Sequence, residues 1–219
     1  MLLDGKRLQT GETLETDVCV VGAGAAGMVL AQTLGQTGIK VLLVEAGKTK
    51  GGGRSQRLYA GEVSDPDRHL PPDRDRFRGL GGSSQAWGGR CMPFDPVDFA
   101  PRPELGSPGW PIGPKEMDPW YRKAQDYVDC GKYVYSAADA GLEGVLIEGF
   151  QSDTVLSDSL ERWSPPTHFG KTLFPTLSAM PNVTVLTNAV VTGLQRPAGQ
   201  DRISELHLKS LPKLRATSV

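Results

Sequence analysis

Gly22, Gly24 and Gly27 stand directly between a short apolar run, Asp17 to Val21, and a run of small and aliphatic residues that continues through Leu34. That placement leaves the chain few options. The first run has the β-branched character of a strand, and the second has the small residues of a helix that packs closely. Gly22 permits the tight turn between them, Gly24 lets main chain come close to a ligand, and Gly27 lets the helix lie against the strand. A second apolar run, Lys40 to Val44, completes strand, turn, helix and strand within roughly 30 residues. Parallel strands joined this way need the crossover helix to pack on the sheet, so the first third of the chain is predicted to be α/β.

A helix that starts at such a turn points free N–H groups and the positive end of its dipole at whatever sits above it. Gly22, Ala23, Gly24, Ala25, Ala26 and Gly27 therefore form a candidate cradle for a pyrophosphate. Glu45 closes the second strand and Ala46 follows it, at the offset where a carboxylate accepts hydrogen bonds from adenosine ribose hydroxyls. The same carboxylate repels a 2′-phosphate, which disfavours NADP. The plainer alternative is that the glycines merely shape a turn and Glu45 is solvated. Strand, turn, helix and acidic residue agree in register, which favours a dinucleotide. FAD and NAD share this fingerprint, so it does not choose between them.

A second glycine-rich loop helps to choose. Arg78, Gly79, Leu80, Gly81, Gly82, Ser83, Ser84, Gln85, Ala86, Trp87, Gly88 and Gly89 concentrate small residues and two hydroxyls, and a loop of that kind offers main-chain N–H groups with no side chains in the way. The plain reading of Ser83, Ser84 and Trp87 is a structural turn with a packed aromatic, and of Arg78 a solvated charge.

Between the two clusters, Lys48 to Arg78 is polar and broken by Gly51 to Gly53 and by Pro71-Pro72, which predicts a long surface excursion. Pro93 to Pro114 is also read as irregular. Asp118-Pro119 reads as a helix start, Asp as N-cap and Pro in the first helical position, with Trp120, Ala124, Tyr127 and Val128 on one face and Gly131 past the end. Val145 to Ile147 and Thr154 to Leu156 are candidate short strands. Val183 to Leu186, Ala189 to Leu194 and Ile203 to Leu208 read as strands, the last two separated by a polar turn at Pro197 to Asp201.

Taken together, Asp17 to Gly47 with its Glu45-Ala46-Gly47 ending, Gly79 to Gly89, Asp98-Phe99, Gly109-Trp110-Pro111, the Trp120-Tyr121 helix and Asn182 to Leu194 resemble the glucose–methanol–choline oxidoreductases. The likeness is to the bacterial branch related to sugar dehydrogenases and pyranose oxidases. It implies a Rossmann-like FAD-binding domain with a parallel sheet, an inserted irregular and helical region, and a carboxy-terminal antiparallel β segment, the whole incomplete. The expected division is 1–94, 95–180 and 181–219. The resemblance also implies that the first motif holds the ADP half of FAD and that Arg78, Gly81, Gly82, Ser83, Ser84 and Trp87 lie against the pyrophosphate and flavin. Val191 matches the position whose main chain meets the adenine. Some relatives bond the flavin to a histidine just before the loop's tryptophan; Ala86 stands in that place, so non-covalent FAD is expected.

Removing a hydride from an alcohol carbon to a flavin requires a base for the hydroxyl proton. In the resembled family that base is a histidine, which with a His or Asn partner comes from a carboxy-terminal segment, so the catalytic half is expected to be supplied by another chain or a longer gene product, and no catalytic residue is assigned here. His69 and His207 are read as surface residues, and only His168 as able to approach a substrate. Another strand of the sheet is expected beyond Leu214 to Val219, leaving an open sheet edge. The alternatives are a non-catalytic module that holds a dinucleotide or a partner subunit, and a self-sufficient NAD-dependent dehydrogenase.

Composition excludes other classes. Net charge is −1, and the six arginines between Arg54 and Arg78 alternate with acids, so no basic stripe awaits nucleic acid. No apolar run is long enough for a membrane span, and Met1 to Gly11 lacks the apolar core of a secretory signal, so a soluble cytoplasmic protein acting on a small alcohol or sugar is expected. Cys19, Cys91 and Cys130 are odd in number and widely spaced, which suggests neither a disulfide framework nor a metal site.

Overall fold

The computed structural model describes residues 1–142, 146–150 and 152–210. They divide into two compact units, one of residues up to Ala86 and from His168 onward, the other from Trp87 to Thr167. Both boundaries fall earlier in the chain than the expected 94 and 180.

The first unit is built on a four-stranded parallel sheet. Its strands are β1 (Leu2–Asp4), β2 (Val18–Val21), β3 (Val41–Val44) and β6 (Val183–Thr187), in the order β1-β6-β3-β2. Helix α1 (Ala25–Gln36) makes the β2–β3 crossover. The two central strands are apolar along almost their whole length, as a parallel sheet covered on both faces requires. Register separates the faces. Val41 and Leu43 align with Val183 and Val185, and Val18 and Val20 with Val41 and Leu43, so these six share one side. Met28, Ala31 and Gly35 of α1 are buried, at the helical spacing that faces a sheet. A Cβ on Gly35 would stand 2.6 Å from the Val183 side chain, so the helix comes as close as glycine allows.

On the other face Leu42, Val44, Leu186 and Ala189 form a cluster with Leu3, Leu8, Leu14, Cys19, Val191 and Leu208. Much of that cover is the antiparallel hairpin of β7 (Ala189–Gln195) and β8 (Glu205–Ser210). Burial alternates along β8, with Leu206 and Leu208 inward and His207 and Lys209 outward, as a half-covered strand demands. The Rossmann-like α/β class with a carboxy-terminal antiparallel segment is thus borne out. β8 starts two residues later than expected, because exposed Ile203 lies before the ladder.

β1 has no counterpart in the sequence reading. Three residues carry too little pattern to announce a strand. Its position comes from pairing with β6, from the Met1 amino group donating to Val183 O at 2.7 Å, and from Asn188 Nδ2 donating to Asp4 Oδ1 at 2.9 Å. Asn188 adopts φ 55, the left-handed turn that sends β6 into β7. At the opposite side of the sheet, among the described residues, no strand pairs with the outer edge of β2. The sheet strand expected beyond Leu214 lies outside the described residues.

In the second unit, β4 (Arg90–Cys91) pairs antiparallel with β5 (Arg162–Trp163), and helix α2 runs from Pro114 to Val128. The expected start at Asp118 is overturned. Gly113 is the N-cap and Pro114 the first helical residue, where a missing N–H costs nothing; Met117 N donates to Gly113 O at 3.1 Å. Asp118 instead pairs with Arg122 one turn on, at 2.8 Å, and Pro119 sits inside the helix. The expected apolar face is covered only in part: Tyr127 and Val128 are half-buried, Trp120 is 58% exposed, Ala124 is exposed, and Gln125 is the buried residue. Ile147 and Thr154 to Leu156 form no strand, and Leu156 is 80% exposed, so neither has the pairing or cover a strand needs; Val145 lies outside the described residues. The second unit's irregular and helical character is otherwise as expected.

After β5 the chain returns to the first unit through α3 (Phe169–Thr172) and α4 (Phe174–Ala179). Asn182 then ties β6 to the end of α1, its Nδ2 donating to Gly35 O at 2.9 Å and Ile39 O at 2.7 Å. Replacing Asn182 with Ala is expected to cost about 2 kcal/mol, since two part-buried carbonyls lose their donor. Leu186→Ala, at a fully buried site, is expected to cost about 3 kcal/mol. Urea unfolding of both variants would check these values.

Candidate dinucleotide-binding site

The turn at the start of α1 has the geometry that the glycine pattern demands. Gly22 takes φ 98, a conformation costly to any residue with a Cβ. A Cβ on Gly27 would lie 2.0 Å from Gly22 O, so the third glycine is needed for the helix to close on the turn. Gly24 differs from both: it is the helix N-cap with φ −74, and a Cβ there would meet nothing within 4 Å.

No side chain caps α1, and no acidic residue lies in its first turn. The N–H groups of Ala25, Ala26 and Gly27 therefore have no intrahelical acceptor, since the ladder begins with Met28 N donating to Gly24 O at 2.9 Å. Bare main chain at the positive end of a helix, with room above Gly24, suits an anionic diphosphate. The residues present fit the group.

The second glycine loop packs against the first, although about 55 residues separate them. Gly81 N donates to Ala23 O at 2.7 Å, Gly24 and Gly81 form a parallel bridge, and a Cβ on Gly82 would stand 2.9 Å from Gly24 Cα. Gly81 itself adopts φ 95. At Gly82 only a residue without a side chain allows such an approach.

Glu45 joins the two loops. Its carboxylate is buried, 5% exposed, and accepts three main-chain N–H donors: Ala23 at 2.9 Å, Gly47 at 2.7 Å and Gly79 at 3.0 Å. Its main-chain oxygen accepts from Ala189 N at 3.1 Å, which ties in the start of β7. The sequence reading assigns Glu45 to the ribose; the structure shows it first as an internal clamp. Two carboxylate oxygens hold about four acceptor positions, so three internal donors leave capacity for one hydroxyl. Ala46 is half-buried beside it, and a Cβ on Gly47 would stand 2.5 Å from Gly79 N.

The loop's side chains hold its shape. Ser83 Oγ accepts from Phe77 N at 3.3 Å, and Ser84 Oγ donates to Gly81 O at 2.7 Å while accepting from Phe169 N at 3.2 Å. Arg78 stacks on Tyr59, its guanidinium 4.1 Å from the ring centroid, so it is not the freely solvated charge of the plain reading. Val191 packs with Leu42, Val44, Leu186 and Ala189, two residues beyond the tie to Glu45. Trp87 belongs to the second unit, where its indole N–H donates to Thr167 O at 2.8 Å. Of the predicted residues, 22–27, 45–46, 78 and 81–84 thus gather around one helix end.

Two glutamines escaped the sequence reading. Gln85 Oε1 accepts from Gly51 N at 3.0 Å, and Gln56 accepts from Arg78 N at 3.2 Å while donating to Asp73 O at 2.7 Å and to Arg76 O. They fasten the polar excursion to the loop. A glutamine in a polar stretch carries no local pattern that would reveal this.

The histidines are dispersed. His69 lies in the excursion and His207 on the outer face of β8, both exposed. His168 lies behind the second loop: a Cβ on Gly81 would stand 3.1 Å from its Nδ1, which is buried with no hydrogen-bond partner among the described residues.

A sequence profile for an FAD binding domain matches residues 15–58, the segment that carries the first glycine turn and Glu45. The chain is similar to a dehydrogenase, str4, of Strobilurus tenacellus, 31% identical over 57% of this chain and 22% of that protein. It is also 32% identical to paromamine 6′-oxidase of Streptomyces fradiae, over 48% of this chain and 21% of the other, and 26% identical to the fructose dehydrogenase large subunit of Gluconobacter japonicus, over 53% and 27%. Among solved structures, pyridoxine 4-oxidase from Mesorbium loti superposes with TM-score 0.55 at 18% identity, covering 90% of this chain and 46% of that one. A fungal aryl-alcohol oxidase gives TM-score 0.54 at 17% identity, over 92% and 43%. The chain therefore spans less than half of the solved relatives, and its match covers about a quarter of the curated ones.

Two substitutions separate folding from binding. Gly24→Ala is expected to keep the fold, having open space and an allowed φ, but to weaken FAD binding about tenfold or more by placing a methyl group in the cradle. Gly27→Ala is expected to cost about 3 kcal/mol of stability through its clash with Gly22 O. Thermal unfolding without FAD, paired with FAD titration, would distinguish them. Glu45→Gln is expected to destabilise the first unit by about 2 kcal/mol, because its amide N–H₂ meets N–H donors; chemical denaturation reads this directly.

Proposed function

We propose that this chain, the FAD-binding portion of a glucose–methanol–choline-type oxidoreductase, holds FAD non-covalently and serves an enzyme that oxidises a CH–OH group of a sugar or other alcohol. The uncapped start of α1, open above Gly24 and flanked by the main chain of Gly81 and Gly82, is the observation that carries this reading. Bound FAD supplies the acceptor for a hydride from the alcohol carbon. Ala25, Ala26 and Gly27 offer their N–H groups to the diphosphate, and Glu45 offers its remaining acceptor position to a ribose hydroxyl. Gly81, Gly82, Ser83 and Ser84 line the approach between diphosphate and flavin, Val191 serves the adenine through its main chain, and Arg78 completes the proposed set.

Ala86 has no atom able to bond covalently to a flavin, which supports reversible binding. The substrate class rests on what the similar proteins are called: fructose dehydrogenase, paromamine 6′-oxidase and aryl-alcohol oxidase all name hydroxyl-bearing substrates. The large-subunit name of one of them accords with a partner chain.

No residue of this chain is assigned as the proton-abstracting base. His69 and His207 are exposed, and His168 lies against Gly81 in the loop's support. That dispersal favours a second reading, a module that holds the dinucleotide and turns nothing over by itself.

Reconstitution tests both. The purified chain mixed with FAD and desalted is expected to retain flavin absorbance close to one equivalent, and to release the flavin on denaturation. Loss of all colour on desalting would sink the FAD assignment. Anaerobic addition of sugars and primary alcohols is expected to leave the flavin oxidised; bleaching would place a working base within these residues.

A further inference from the structure

All four tryptophans lie in the second unit, and three of them, Trp110, Trp120 and Trp163, stand more than half exposed. Indole surface left in water is costly, and rings of this size are usually covered. Trp110 and Trp163 belong to one exposed ribbon. It starts where Trp163 of β5 faces Arg90 of β4, register partners whose side chains share one face of the ladder. Arg90 reaches along that face, donating to Met92 Sδ at 3.3 Å and pairing with Glu161. Exposure alternates from Arg90 to Phe94, so Arg90, Met92 and Phe94 stand on the outer side of an extended chain while Cys91 and Pro93 turn inward. Phe94 then meets Trp110, their ring centroids 6.0 Å apart, and both rings lean on buried Phe99, at 6.3 and 6.1 Å.

Trp110 is held in place by its main chain. Its N–H donates to Phe99 O at 3.1 Å, and a Cβ on Gly109, which has φ 81, would stand 2.8 Å from the same oxygen. Trp163, Met92, Phe94 and Trp110 together offer on the order of 500 Å² of apolar surface, the size at which an exposed patch marks an interaction site. Trp, Phe, Met and Arg are also the residue types enriched where proteins meet.

We infer that this ribbon is the interface of a two-fold homodimer, in which each copy of the chain covers the other's exposed rings. The charges choose the occupant. Arg90 and Glu161 form an ion pair on the ribbon, both reached by solvent and opposite in sign. A patch with one charge of each sign gives a uniformly charged partner nothing to select, whereas a two-fold axis through the pair sets each Arg90 against the other copy's Glu161. The same axis lays Trp163 of one copy over Phe94 and Trp110 of the other, so the two ends of the ribbon cover one another. A standard interface buries about 800 Å² per partner, of which the four apolar side chains supply more than half and the charged rim the rest. All of these residues lie in 87–167, so the inference does not rest on the FAD reading.

Sedimentation velocity of the full chain across the micromolar range tests the interface. A concentration-dependent equilibrium between monomer and dimer is expected. Trp163→Ser and Met92→Glu, at exposed positions, should keep the wild-type circular dichroism and raise the dimer Kd about tenfold or more. Arg90→Glu and Glu161→Arg should each weaken self-association, because each sets like charges across the axis. An equimolar mixture of these two variants should dimerise again, since two carboxylates on one copy then face two guanidinium groups on the other. An ion pair acting only within one chain would show no such rescue. A wild-type chain that stays monomeric at the highest concentration overturns the inference and leaves this face to a different polypeptide. So does a dimer that Trp163→Ser and Met92→Glu leave intact, or a charge-reversed mixture that remains monomeric.

Discussion

One buried carboxylate organises the first unit. Glu45 collects N–H donors from three separate places, the turn before α1, the bend after β3 and the start of the second glycine loop. A carboxylate 5% exposed needs such donors, because an ion removed from water is costly unless it is hydrogen-bonded. The same requirement makes it a strong organiser: the three segments can satisfy Glu45 only by converging on the end of β3. The two glycine loops then meet main chain to main chain at the tip of a helix. The candidate cofactor site is a by-product of that convergence.

The sheet explains why the convergence is rigid. β3 and β6 are buried along nearly all of their length, with α1 on one face and the β7–β8 hairpin on the other. Glu45 follows the last residue of β3 and cannot move without disturbing that core. Asn182 and Asn188 fix the two ends of β6, one to the end of α1 and the other to β1. The bare main chain at α1 is therefore preorganised, which matters for binding because little ordering remains to be done when a diphosphate arrives.

The two units use polar contacts differently. In the first, buried polar groups define a loop junction. In the second, Gln125 gathers Cys130, Tyr135 and the main chain of Lys132, replacing the apolar helix face that periodicity suggested for α2. Trp120 and Ala124 were legible as apolar residues at helical spacing, yet the helix turns them outward. Periodicity identifies a face; only packing decides which face is covered.

Much of the first unit was legible in the sequence because its demands are local. A strand, three glycines at fixed spacing, a helix and an acid each act over a few residues, and φ 98 at Gly22 or the clash that a side chain at Gly27 would cause are consequences of immediate neighbours. The rest was decided by tertiary structure. That Gly81 lies on Ala23, that three residues at the amino terminus form a strand, and that Glu45 serves the protein before any ligand all depend on which distant segment lies across a sheet or beside a helix. Long-range pairing of this kind is fixed by the collective burial of the core, and no short window of residues contains it.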